Sequence, residues 1–232
     1  MQITRKLNNS FMYFLLEQFG IEVKKRTLHP DGTRKIYKIP HPNIVFTKPM
    51  DIYIDGKLAD KNSYKVFPLL GDVVFENPVR DMFLASFMPI TGTVTASYYY
   101  SPISIVGHTG GEIIHPPLVA IENSGDNEYA LELGSSRADV DAFFRIHLYA
   151  TNQAQRDDLC DMIKAFVRKT LVIYDYSKGF PLASDGSLHE VEIPVERYAS
   201  IERVSVLKNP LESTDEIEVG RALITVVCNY VN

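Results

Sequence analysis

Residues 142–169 read AFFRIHLYATNQAQRDDLCDMIKAFVRK, and the way this run divides decides the fold. Its first part alternates. Phe144, Ile146, Leu148 and Ala150 fall on one side, Phe143, Arg145, His147 and Tyr149 on the other. A period of two predicts a β-strand over 142–151. The period then lengthens. Leu159, Met162, Ile163, Phe166 and Val167 recur at helical spacing, which predicts an amphipathic helix over 152–169. Asn152 supplies an N-cap oxygen, and Gln155 three residues later completes a pair of the capping-box kind. Asp157 and Asp158 stand early, where the helix dipole favours anions. Lys164, Arg168 and Lys169 stand late, where it favours cations. The polar cluster Arg156-Asp157-Asp158 therefore reads as helix grammar before it reads as an acid/base site. Each apolar residue on that helix contributes about 1.5–3 kcal/mol when buried. The Phe144 side of the preceding strand is the surface that offers burial.

The other side of the strand is the second clue. Phe143, Arg145, His147 and Tyr149 are large and amphipathic, the kind of side chain enriched where proteins meet. They form a candidate subunit interface. A neighbouring copy or another part of the chain could cover them, and a solvated face is equally compatible with the pattern.

Working outward, residues 3–19 carry Ile3, Leu7, Phe11, Phe14 and Leu15 at helical spacing, with Gly20 as a stop. His29-Pro30-Asp31-Gly32 reads as a turn. Between Arg34 and Ser101 short β-rich runs are divided by turn residues. Asp55-Gly56 marks a hairpin, Gly71-Asp72 a second turn, and Asn77-Pro78 closes a strand. Thr93, Thr95, Ser97 and Tyr99 alternate with Val94, Ala96, Tyr98 and Tyr100. This block predicts a small all-β, sandwich-like module, closed by a glycine-rich connector at 107–111. Beyond it, strands are expected over 118–122 and 129–133 around a turn at Gly125-Asp126, then over 171–176. One or two more span 191–206, broken at Pro194. The apolar run 221–231 reads as a central strand. The expected fold class is α+β. Residues 1–28 and 107–232 form one discontinuous domain, and residues 29–106 form an inserted β module whose ends lie close together.

Composition narrows the functional classes. The 232 residues hold 45% hydrophobic and 23% charged side chains, which predicts a globular chain with a sizeable core. The net charge of −5 lacks the basic excess of a nucleic-acid binder. Cys160 and Cys228 lie far apart and read as free buried thiols of a reducing compartment. A signal-peptide core and a membrane-length apolar run are both missing from the sequence, so synthesis in a cytoplasm without a membrane anchor is expected.

Catalytic signals are thin. His29, His41, His108, His115, His147 and His189 are scattered, none at metal-ligand spacing with another His, Cys or Asp. The Gly107–Gly111 stretch lacks a phosphate-loop lysine, and Ser135-Ser136 lacks a nucleophile elbow. Asp175 in Ile173-Tyr174-Asp175-Tyr176 reads as the end of a strand. Tyr98, Tyr99 and Tyr100 could stack on sugars or bases, but alternation splits them between core and surface. No catalytic, cofactor-binding or metal-binding residue is assigned.

The stretches PPLVAIENSGDNEYALELGSS and AFFRIHLYATNQAQRDDLCDMIKAFVRKTLVIYDYSKGFP resemble neck and tail-completion proteins of tailed bacteriophages, tail terminators above all. The shared pattern is a strand, a helix with Arg-Asp-Asp-Leu, and a strand ending in Tyr-Asp-Tyr before Gly-Phe-Pro. The stretches SYKVFPLLGDVVFENPV and GTVTASYYYS resemble small β modules of phage virion proteins. The resemblance implies a tail-terminator-like sheet backed by helices. It implies a hexameric ring that caps the tail tube, stops its growth and joins it to the head connector. It implies a structural virion protein of the head–tail junction, assembled in the host cytoplasm, with no enzyme activity and no cofactor. Genomic DNA would pass through the ring without sequence-specific contacts. The alternatives are a head-completion or connector-adaptor protein of the neck, and a carbohydrate-binding decoration protein of the virion. A hydrolase built on Asp157, Asp158 or His147 is the remaining reading.

Overall fold

The computed structural model describes residues 3–31, 35–75, 92–107, 116–130, 137–177, 182–188, 193–208 and 220–231. The chain is α+β and rich in strands. It divides into two compact units: Met1–Leu15, Ile103–Lys178 and Ile193–Asn232 form one, and Leu16–Pro102 with Gly179–Glu192 the other. The predicted Asn77-Pro78 stop, the connector beyond Gly107, Ser135-Ser136 and His108, His115 and His189 lie outside the described residues.

Helix α1 (Ile3–Gln18) opens the chain where periodicity placed it. From Leu16, in its last turn, the chain belongs to the second unit. That unit holds strands β1 (Ile21–Thr27), β2 (His29–Pro30), β3 (Ile36–Lys38), β4 (Asp51–Ile54), β5 (Lys57–Leu58), β6 (Tyr64–Phe67), β7 (Asp72–Phe75) and β8 (Val94–Tyr100). They form two four-stranded sheets, ordered β1-β8-β4-β5 and β2-β3-β7-β6. Both sheets feed one apolar core: Ile52, Val94, Ala96 and Tyr98 come from the first, Tyr37, Val66, Val73 and Phe75 from the second. Alternation along β8 explains its share. Val94, Ala96 and Tyr98 are buried while Thr95, Ser97 and Tyr99 are not. The predicted hairpin at Asp55-Gly56 joins β4 to β5, with φ of 49° and 80° at the two residues. Two consecutive positive φ values suit the primed turn whose twist matches the strands, and glycine takes the second at no steric cost. His29 and Pro30, expected in a turn, form β2 instead, paired antiparallel with β3.

The domain boundaries read from sequence shift. β1 lies inside the expected 1–28 segment, yet it is hydrogen-bonded along β8 and so belongs to the β-rich unit. Residues 179–192 join that unit as well, Leu188 N donating to Val66 O at 2.6 Å. Composition gave no sign of either, because both depend on pairing between segments distant in sequence.

The first unit contains β9 (Ser104–Val106), β10 (Leu118–Ala130), β11 (Ala138–Tyr149), helix α2 (Gln153–Lys164), β12 (Thr170–Tyr174), β13 (Val195–Lys208) and β14 (Arg221–Val231). Its single sheet runs β12-β13-β14-β11-β10-β9, with β14 in the interior as its apolar run predicts. Among the described residues, only the β9–β10 pairing is parallel. On one face, Phe144, Ile146 and Leu148 of β11 lie opposite Val226, Ile224 and Ala222 of β14, all at most 1% exposed. The helices cover this face. Phe11 of α1 stacks on Phe144 with ring centroids 4.5 Å apart, and α2 packs on β13 and β14. Phe14 meets Phe166 edge-on at 5.3 Å, and Ser10 Oγ accepts a hydrogen bond from Tyr174 N at 3.1 Å. Cys160 on α2 and Cys228 on β14 are free and buried.

The expected turn at Gly125-Asp126 is absent. β10 runs unbroken through it, and the pairing with β11 slips by one residue between Asn123 and Gly125. This is a β-bulge. Gly125 has φ of 129°, and its N–H donates to Asn123 Oδ1 at 2.8 Å. The residues that suggested a chain reversal serve a local kink within one strand.

Phe144 is the element on which α1 and the sheet agree. Phe144→Ala is expected to cost about 3–5 kcal/mol in denaturant-induced unfolding. Substitution of half-buried Phe143 on the other face is expected to cost clearly less.

Candidate functional site

The junction of β11 with α2 follows the local chemistry closely. Asn152 has an extended backbone, and its Oδ1 accepts from Gln155 N at 2.9 Å. Gln155 Oε1 reaches back past the cap to Thr151, accepting from its N and its Oγ1, each at 2.8 Å. The pairing is reciprocal, as in a capping box, but shifted one residue outward.

The polar residues Arg156, Asp157 and Asp158 have separate fates. Arg156 is only 3% exposed and lays its guanidinium against the neighbouring carboxylate, Nη2 to Asp157 Oδ1 at 2.9 Å. Lys208 of β13 approaches the same oxygen at 2.8 Å. The Lys208 ammonium first, then the Arg156 guanidinium, hold the Asp157 carboxyl below its usual pKa. That favours a permanent anion, whereas a general acid or base at neutral pH needs the opposite shift. Asp158 points to solvent.

The helix is shorter than its periodicity suggested. It ends at Lys164, and Arg168 takes a left-handed conformation with φ of 70°. There Arg168 N donates to Ile201 O at 2.8 Å, turning the chain into β12. Met162 and Val167, expected on the buried side, are 44% and 38% exposed, while Leu159, Ile163 and Phe166 are buried. Lys164 alone of the three late cations lies in the helix, and it pairs with Asp161 at 2.9 Å.

Phe143, Arg145, His147 and Tyr149 share the face of β11 that points away from the helices. Arg145 is exposed and the other three are half-buried. Tyr149 lies opposite Arg221, whose guanidinium sits 5.4 Å from the ring centroid. His147 Nε2 stands 3.6 Å from Glu122 Oε2. The four residues are brought together, then, along with Arg221 and Glu122, which spacing alone could not add.

The tyrosine run is divided. Tyr98 is 1% exposed and hydrogen-bonds Nδ1 of His41 at 2.6 Å, and burial pushes its phenol pKa up to about 12. The His41 ring also stacks on Tyr100 at 4.0 Å, so one face of that ring is taken. A stacking platform of three tyrosines does not form. Elsewhere in the second unit a cleft of about 490 Å³ lies beside β6, lined by Tyr64, Lys65, Asp185 and Ser187 among others. Its polar groups answer one another: Asp185 Oδ1 accepts from Ser187 Oγ at 2.6 Å, and Lys65 approaches Asp185 at 3.5 Å.

The most perturbed carboxyl is one that periodicity did not single out. Lys6 of α1 sits between Asp175, at 2.8 Å, and Glu196, at 2.6 Å. The hydrogen bond from Lys6, then that from Ser177, hold the Asp175 carboxyl far below the usual range. This cluster ties α1 to the ends of β12 and β13. Among the described residues, no group of three or more His, Cys, Asp or Glu side chains could hold a metal ion.

Two outcomes are expected. Asn152→Ala costs about 1 kcal/mol in unfolding free energy through loss of the cap, while Asp158→Asn stays within about 0.5 kcal/mol. Because folding lowers the Asp175 pKa, the stability it contributes is complete above the unfolded value of about 3.9. It is lost as pH falls through the lower folded value. Lys6→Met therefore opens a stability gap to the parent protein at pH 7 that narrows toward pH 2, read by denaturant unfolding at both. No protein-family model, no curated protein and no solved structure matches this chain.

Proposed function

We propose that this chain is a non-enzymatic structural subunit of a tailed-phage neck, a tail terminator that assembles as a hexameric ring between tail tube and head connector. The observation that carries the reading is the β11–α2 junction. Its carboxylate Asp157 is committed to helix seating, locked between Arg156 and Lys208, and at the end of β12 Asp175 is likewise held by Lys6 of α1. A sheet with the helices on one face fits the sheet backed by helices that the family resemblance implies, while the second β-rich unit departs from the smallest members of that family. In this reading the second unit is a sandwich-like module set into a ring-forming domain. The face carrying Phe143, Arg145, His147 and Tyr149 is a contact surface of the assembly. The net charge of −5 suits a conduit through which DNA slides without being gripped. The carbohydrate-binding alternative loses support from the burial of Tyr98 and the stacking of His41 on Tyr100.

The test is the position and symmetry of the chain in intact particles. Electron cryomicroscopy is expected to place it at the head–tail junction with sixfold symmetry. Removing its gene is expected to give heads unjoined from tails, with tubes of uncontrolled length. A twelvefold ring on the portal would assign the adaptor role instead. A particle without the chain at that junction would end the phage reading.

A further inference from the structure

Two lengths of strand edge in the six-stranded sheet have no strand partner among the described residues. β9 covers β10 only at residues 118–120, which leaves residues 121–130 open on that side. β12 covers β13 only through residue 200, and the 168–169 turn meets Ile201, which leaves residues 202–208 open. These edges lie on opposite sides of the sheet, with β14 and β11 between them. An open edge is a template for another strand.

The two edges are complementary. The open part of β10 carries Glu122, Asp126 and Glu128 and no Lys or Arg. The open part of β13 carries Arg203 and Lys208 against Glu202, and Arg168 and Lys169 stand beside Ile201. Each edge also exposes one large apolar side chain, Tyr129 at 54% and Leu207 at 56%. The pleat sorts these groups consistently. Asp126 and Glu128 lie opposite Ala142 and Val140, on the helix-covered side, and Lys208 lies opposite Ala222 on that same side. Tyr129 lies opposite Asp139 and Leu207 opposite Leu223, both on the other side.

We infer that these edges pair between copies of this chain, β10 of one on β13 of the next, so that the sheet continues from subunit to subunit. Direction fits. Three antiparallel steps separate β10 from β13, so the two strands run oppositely. A rotation about an axis inclined to the strands, as in a β-barrel, leaves neighbouring strands close to their original direction, and the new junction is therefore antiparallel. Face parity limits the register. Setting Asp126 opposite Lys208 puts Asn127 opposite Leu207 and Tyr129 opposite Ser205. Glu128 then lies diagonal to Lys208, and Tyr129 diagonal to both Leu207 and Arg203, within the reach of long side chains. Such a contact joins two different patches; Asp126 is level with Ile201 in its own sheet, so this register staggers successive copies along the strands, and the contact closes into a ring with the strands inclined to the ring axis or else runs on as a filament. The inference deepens the ring reading above and rests on it.

The test uses the full chain carrying Asn127→Cys and Leu207→Cys. Its native thiols, Cys160 and Cys228, are buried. Under mild oxidation the double variant is expected to give a disulfide ladder extending beyond dimer. Each single variant alone gives no ladder, and a mixture of the two gives dimers only. A folded double variant without a ladder, or single variants that cross-link as well as the double, overturns the edge contact. A second series guards against a variant that fails to fold. Asp126→Lys with Glu128→Lys is expected to weaken association about tenfold by sedimentation. Unchanged association in this folded variant overturns the proposal. Light scattering on the parent protein separates the two readings. A hexamer that does not cross-link here keeps the ring and rejects this contact, whereas a persistent monomer with no ladder rejects both.

Discussion

The pleat of β11 is the constraint on which the rest of the first unit depends. Successive side chains of a strand must point to opposite faces. Phe144, Ile146 and Leu148 therefore commit one face to an apolar contact, and Phe143, Arg145, His147 and Tyr149 commit the other to something partly polar. Once Phe11 stacks on Phe144 and α2 closes over β13 and β14, the helix side is dry. An ion pair placed at its margin is then worth more than one in open water, because less solvent screens it. Lys6, between Asp175 and Glu196, occupies such a margin, with all three side chains mostly covered.

The acidic residues after Thr151 belong to the same logic. A helix start leaves backbone N–H groups without partners, and Asn152 satisfies that of Gln155 while Gln155 turns back to Thr151. Asp157, beyond the helix's first turn, links α2 to Lys208 on the strand beneath it. Reading these residues as an active site would require a carboxyl free to change protonation near neutral pH. The cations beside Asp157 push it the other way.

Local features were legible in the sequence. The helix at the N-terminus, the Asp55-Gly56 hairpin, the cap at Asn152 and the central position of 221–231 all rest on neighbouring residues or simple periodicity. What failed depended on distance along the chain. Gly125-Asp126 carries turn chemistry, but the partner strand β11 continues past it and converts a reversal into a bulge. The helix pattern runs on to Lys169 because Phe166 is buried, yet the helix ends at Lys164 and a left-handed Arg168 bonded to Ile201 turns the chain into β12. The compact units divide elsewhere than at residue 28 for the same reason, since nothing in the composition of β1 announces β8 as its neighbour. Of the candidate contact surface, one strand's worth was visible. Arg221 and Glu122 joined it only through register.

The two buried thiols have a use that their chemistry alone would not suggest. Cys160 lies on the buried side of α2 and Cys228 in the interior strand β14, where burial drives its thiol pKa up to about 12. A thiolate is the reactive form, so neither sulfur meets an alkylating reagent while its surroundings stay closed. The molecule thus carries two internal clocks. The rate at which each sulfur becomes trappable measures how often its own layer, helix or sheet, comes apart, and the ratio of the two rates tells whether the layers loosen together or in turn.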